Sequence, residues 1–129
     1  MEEIKLFHDF DSNITVLKQG EFRQEFTGEQ WLELRKAAEQ DVLFRIDNFE
    51  RSPVPPGLLT QAYVFHSQES VSVHSLTVEP SRYDFSSLQW RTICMAVCSE
   101  LVERLDRHIE YRRSQNTTNV YANKQTVKH

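Results

Sequence analysis

Three glycines, Gly20, Gly28 and Gly57, are all that this chain of 129 residues contains, so it has no glycine-rich loop to cradle a phosphate. Cysteine is as scarce. Cys94 and Cys98 lie four apart in a helical pattern, too close to close a useful disulfide loop, so a reducing, cytoplasmic setting is expected. The Asn116-Thr117-Thr118 glycosylation pattern then has no expected role. No apolar run approaches the roughly 20 residues that span a bilayer. The first residues, Met1-Glu2-Glu3-Ile4-Lys5, lack the basic start and apolar block of a secretory signal, and no membrane association is expected. There is no Gly-x-Ser-x-Gly nucleophile elbow. A net charge of −4 weighs against general binding to nucleic acid or anionic lipid. That charge is uneven: twelve acidic and seven basic side chains precede Leu58, against seven and eight from there on.

What the chain does have is a helix start written twice. Phe26-Thr27-Gly28-Glu29-Gln30-Trp31 recurs 59 positions later as Phe85-Ser86-Ser87-Leu88-Gln89-Trp90. In each copy a hydroxyl residue can cap the first free amides and a Gln at the third helical position completes a capping box. The Phe before each cap can pack on the Trp at the fourth helical position as a hydrophobic staple. Phe7-His8 echoes Phe65-His66, and Ile14-Thr15-Val16 echoes Leu76-Thr77-Val78, at offsets of 58 and 62. A duplicated strand–strand–helix unit explains these echoes, and so does convergent capping.

Alternation around Ile4–Asp9, Ile14–Leu17 and Phe22–Phe26, with turn residues at Asp11-Ser12-Asn13 and Gly20, predicts three short strands. Trp31, Leu34, Ala38 and Val42 then form a helical stripe. The helix is expected to end near Asp41, with Val42–Ile46 as strand or connector. Ser52-Pro53-Val54-Pro55-Pro56-Gly57 is the one clear breaker segment and reads as a connection between halves of one domain. Leu58–Ser67 and Val71–Val78 read as a hairpin. A three-residue loop would set His66 opposite His74, and a two-residue loop breaks that pairing.

From Ser86 a helix is expected to about Arg113, with the stripe Trp90, Cys94, Val97, Cys98, Leu101, Leu105 and Ile109. Some 27 residues at 1.5 Å each extend roughly 40 Å, more than a domain of about 30 Å covers. Residues 114–129 are polar, lack periodicity and read as a mobile tail. The expectation is a single α+β domain over residues 1–113, with a short antiparallel sheet, two capped helices and a long carboxy-terminal helix.

Candidate chemistry is thin. Cys94 and Cys98 sit within an apolar stripe, as small buried hydrophobes do, and no nearby ligand completes a zinc site. His8, His66 and His74, with Asp9 or Asp11, supply the residue types of a metal site or an acid–base pair, without a known ligand spacing. No cofactor and no metal are implied. Leu76-Thr77-Val78-Glu79-Pro80 resembles the strand-to-helix junction of GNAT-type acetyltransferases, which would imply coenzyme binding. Ser81-Arg82-Tyr83-Asp84 stands where that family has its glycine-rich turn. The strands leading into Phe26–Leu32 resemble the end of single-strand-binding domains of the whirly class, over roughly the first 45 residues. That likeness implies base stacking on a sheet.

The leading expectation is a non-catalytic interaction protein (a regulator, inhibitor, chaperone or immunity-type factor) that binds a protein partner and forms a homodimer through the long helix. Arg104, Arg107, Tyr111, Arg112 and Arg113 are its candidate contacts, although Glu103, Asp106 and Glu110 interleave with them as on an ordinary solvated helix face. A second reading is single-stranded nucleic-acid or nucleotide binding, with Phe7, Phe22, Tyr63 and Phe65 for stacking and Arg82 for phosphate. A third is a small enzyme using His66 and His74 with a carboxylate.

Overall fold

A computed structural model describes residues 2–55 and 61–127, with side chains described as far as Gln115. The chain is α+β and runs three antiparallel strands and a helix, twice. β1 (Ile4–Asp9), β2 (Ile14–Gln19) and β3 (Phe22–Thr27) lead into α1 (Gly28–Glu50). β4 (Ala62–His66), β5 (Ser70–Ser75) and β6 (Arg82–Ser86) lead into α2 (Ser87–Val127). The two sheets are separate, in the orders β1-β2-β3 and β4-β5-β6. Gly20 takes a φ of +60° at the first position of the two-residue β2–β3 turn, where an ordinary side chain would be strained.

Both capping boxes form. Thr27 Oγ1 accepts the Gln30 amide at 3.2 Å while Gln30 Oε1 accepts the Thr27 amide at 2.9 Å. Ser86 and Gln89 repeat this at 3.1 and 2.9 Å. The staples form too: Phe26 meets Trp31 at 6.3 Å and Phe85 meets Trp90 at 5.8 Å between ring centroids. Phe26 and Phe85 also touch each other at 6.2 Å, so the two helix starts meet in one aromatic core. Leu17, Leu34, Val42, Ile46, Val71, Val73 and Ile93 are among the residues that pack with them in that core. Each helix packs on its own sheet and on the first strand of the other repeat, α1 on β4 and α2 on β1.

Several expectations need correction. α1 does not stop near Asp41. It continues through Val42–Ile46, because Val42 and Ile46 extend the buried stripe of Leu34 and Ala38 and no breaker intervenes before Ser52-Pro53. Arg51 then closes it in the left-handed conformation, its amide donating to the Asp47 carbonyl. The third strand of the second repeat, β6, was not expected. It alternates buried Tyr83 and Phe85 with exposed Arg82 and Asp84, and it stands between Leu76–Pro80 and the helix, where the resemblance to the acetyltransferase junction implies a direct entry. β5 ends at Ser75 rather than Val78, because Ser75 Oγ accepts the Val78 amide at 3.0 Å and turns the chain. The echo of Ile14–Val16 therefore falls on β5 and not on Leu76–Val78.

The hairpin takes the two-residue form. Ser67 pairs with Ser70 across Gln68-Glu69, which places His66 opposite Val71 and His74 opposite Tyr63. His66 and His74 consequently lie on opposite faces of the sheet. Of the Pro-rich connection, 52–55 is neither helix nor strand, while Pro56 and Gly57, with Leu58 at the expected start of the hairpin, lie outside the described residues.

α2 is long but not one rod. Cys98 has non-helical angles (φ −149°, ψ 62°). Arg91 and Asp106, fifteen residues apart, join through two hydrogen bonds of 3.1 and 2.8 Å. In a straight helix they would be separated by about 22 Å of rise, more than the two side chains span. The helix is therefore folded into a V at Cys98, with Trp90, Ile93 and Cys94 buried on the first arm and Val102 and Leu105 on the second. The helical backbone runs on past the expected end near Arg113 to Val127, through most of the stretch expected as a polar tail, with side chains described only as far as Gln115.

Candidate functional site

The stripe that makes α1 amphipathic places one acid where an apolar residue would ordinarily stand. Asp41 is 8% exposed, three residues after buried Ala38 and one before buried Val42. A carboxylate there needs donors, since burying it without partners would cost several kcal/mol. The second repeat supplies them. Trp90 Nε1, held by the α2 staple, donates to Oδ2 at 3.0 Å, and His66 Nε2, at the end of β4, donates to the carboxylate with both oxygens at 3.0 Å. Arg45, one turn on, stands 3.8 Å away. Asp41 is thus a buried polar joint between the repeats.

Beside it lies a cavity of about 260 Å³ between the arms of α2, with Val71, Trp90 and Leu105 in its walls and Arg45, His66 and Arg91 among its polar groups. Arg91 is held by Asp106, and Arg45 and His66 by Asp41. Cys94 also faces this space. Burial pushes its thiol far above the ordinary range, with the charges of Asp41 and Cys98 adding to the effect, so it is held protonated and is a poor nucleophile. Cys98 is pushed up to about 11, mainly by burial. His66 therefore has the carboxylate partner expected of an acid–base residue, without an activated nucleophile beside it.

The other candidates are scattered. His8 hydrogen-bonds Thr15 Oγ1 at 2.7 Å and packs edge-on to Trp31, while His74 packs edge-on to Phe65 on the outer face of the second sheet. Asp9 accepts the amides of Asp11 and Ser12 in the β1–β2 turn, and its carboxyl is held below the usual range first by hydrogen bonding from the Ser12 side chain and then by those amides. Among the described residues no group of three or more His, Cys, Asp or Glu side chains is placed to hold a metal.

The basic residues of α2 largely face the end of α1. That helix has no basic residue in its last turn to offset its dipole. Arg104 and His108 from the second arm bind Glu50 there, and the Arg104 hydrogen bond, aided by His108, lowers the Glu50 carboxyl to about 2. Arg112 lies 4.5 Å over the Phe49 ring, on which His108 also stacks. Arg113 is engaged as well. Arg107 and Tyr111 are exposed.

Of the stacking candidates, Phe7 and Phe22 fall on opposite faces of the first sheet, since Phe7 pairs with Val16 and Phe22 with Gln19. Tyr63 and Phe65 do share a face, and cross-strand pairing sets Tyr63, His74 and Arg82 in one row. Arg82 is paired there with Asp84 at 3.0 Å.

Of the four edge strands of the two sheets, β4 differs from the rest. Edge strands invite further pairing, and charged side chains commonly guard them. β1 carries Lys5 and Asp9, β3 carries Arg23 and Glu25, and β6 carries Arg82 and Asp84. β4, Ala62-Tyr63-Val64-Phe65-His66, has no Asp, Glu, Lys or Arg. Tyr63 and Phe65 are each 56% exposed, and Phe44 of α1, 44% exposed, borders the groove of about 190 Å³ between α1 and this strand. The missing charges were legible in the sequence. That this strand lies at an edge was not.

Comparison with known proteins finds no match to a family model, a curated protein or a solved structure. Among the described residues no helix is long and apolar enough to cross a membrane.

Proposed function

We propose that this chain is a non-catalytic interaction protein, of the regulator, inhibitor, chaperone or immunity type, and that it works by taking an extended protein segment along β4. The observation that carries the reading is the unguarded edge: an uncharged strand bordered by Phe44, Tyr63 and Phe65. Strand addition draws affinity from main-chain hydrogen bonds and specificity from side-chain pockets, and the groove beside Phe44 is such a pocket. The reading moves the contact surface away from Arg104 and Arg112, which bind Glu50 and Phe49. In the V the buried residues of both arms of α2 pack in the core of the molecule, which favours β4 over α2 as the contact surface.

The test is capture from the native cell with wild type, with the edge variant Tyr63→Lys/Phe65→Lys, and with Arg107→Ala/Tyr111→Ala. A partner lost only with the edge variant supports the reading. A partner lost only with the α2 variant returns the function to the helix and removes this reading.

The row of Tyr63, His74 and Arg82 supports a second reading, stacking of single-stranded nucleic acid on the outer sheet face. Binding of a labelled oligonucleotide that weakens steeply with salt and is lost in Tyr63→Ala supports it; no binding at low salt ends it.

A further inference from the structure

We infer that the segment received by β4 is β4 of a second copy of this chain, paired antiparallel about a two-fold axis through Val64. The inference rests on the strand-edge reading above and specifies its partner. The backbone sets the register. Leu76 N–H donates to the Gln61 carbonyl at 3.0 Å and Ser67 N–H to the Ser70 carbonyl at 2.9 Å, so the odd-numbered residues of β4 make the hydrogen bonds to β5. The N–H and C=O groups of Ala62, Val64 and His66 therefore point outward, and among the described residues no backbone group pairs with them.

An antiparallel partner must match those groups with its own even-numbered ones. With Val64 opposite Val64, Ala62 meets His66 in hydrogen-bonded positions, and Tyr63 meets Phe65 in the intervening positions, where cross-strand side chains lie closest. The strand is self-complementary in that register. Tyr63 faces Phe65, His66 faces Ala62 and Val64 faces itself, so no like charges oppose, which is the condition a two-fold contact imposes on a strand. On the opposite side of the sheet, the Phe44 groove of one copy adjoins that of the other and closes an exposed apolar edge. The product is a continuous six-stranded sheet with β6 at both ends, where Arg82 and Asp84 stand guard.

The experiment is sedimentation of the full chain over a range of concentrations, with amide hydrogen exchange on the same samples. Wild type is expected to associate to a dimer, with protection of the Ala62, Val64 and His66 amides rising with concentration. Tyr63→Lys/Phe65→Lys sets lysine against lysine twice across the axis and should weaken the dimer at least tenfold. Tyr63→Lys/Phe65→Glu sets lysine against glutamate twice and should restore it, an outcome specific to this register. Far-UV circular dichroism that matches wild type in both variants shows that the fold is kept. A strict monomer overturns the inference, as does a dimer indifferent to both variants or one without edge-amide protection. A monomer that still captures another protein, and loses it in the edge variant, overturns self-pairing alone and leaves the proposed function standing.

Discussion

Gln30 and Gln89 do the same two jobs at equivalent places. Each turns its side-chain oxygen back to close its own capping box and extends its amide nitrogen to the other repeat. Gln30 Nε2 donates to the Glu79 carbonyl at 2.7 Å, before β6, and Gln89 Nε2 donates to Gln19 Oε1 at 3.0 Å, before β3. The residues that start the helices also fasten the halves together. With Phe26 packed on Phe85 between them, helix entry and the joining of the repeats form one structural unit.

Replacing either glutamine therefore removes a cap bond and a bond between repeats. Gln30→Ala and Gln89→Ala should each lower stability by about 1–2 kcal/mol, and Thr27→Ala or Ser86→Ala by about 1 kcal/mol. Urea unfolding measures this. The midpoint should shift equally by tryptophan fluorescence and by circular dichroism, because both report one cooperative transition.

Asp41 is the acceptor for two donors from the second repeat. Asp41→Ala leaves His66 and Trp90 without their acceptor and should cost about 3 kcal/mol, whereas Trp90→Phe removes one donor and should cost about 1 kcal/mol beyond its change in packing. In the double variant the two losses should be less than additive, as contacting residues require. Additive losses would show that the hydrogen bond contributes nothing.

The acid limb of stability has a named contributor. Arg104, with help from His108, lowers Glu50 from 4.5 to about 2 in the folded chain. A carboxyl lowered on folding stabilises above its unfolded value and loses that contribution as pH falls through its folded value. Glu50→Gln should thus be less stable than wild type near neutrality and converge on it between pH about 4.5 and about 2. Urea midpoints followed across that window read the convergence. A constant offset would sink the assignment.

The V in α2 rests partly on Arg91 and Asp106, whose side chains are 50% and 34% exposed. A double-mutant cycle with Arg91→Ala and Asp106→Ala should return a coupling of about 0.5–1 kcal/mol, reduced by salt. A straight helix would keep these side chains apart and return none.

The sequence disclosed what local rules determine. Three strands before Thr27, both capping boxes and the stripes of both helices follow from residue type and spacing. Other features needed the tertiary structure. Val42–Ile46 is rich in β-branched and aromatic residues, yet it is helical because Val42 and Ile46 continue a face already buried. β6 shows a period of two in Arg82–Phe85, a signal overlapped by the staple that uses the same Phe85. The break at Cys98 has neither proline nor glycine to announce it, and only the contact of Arg91 with Asp106 reveals its depth. Asp41 stood on the apolar stripe in plain view. Its partners, at distances of 25 and 49 residues, did not.

The crossed packing of the helices has a consequence for how the chain comes into being. Neither half can finish its own interior, since β4 waits for α1 and β1 waits for α2. Severed between 51 and 62, the protein would yield two sticky fragments that become soluble only on finding one another. A ribosome that has released the first half still holds an unfinished object.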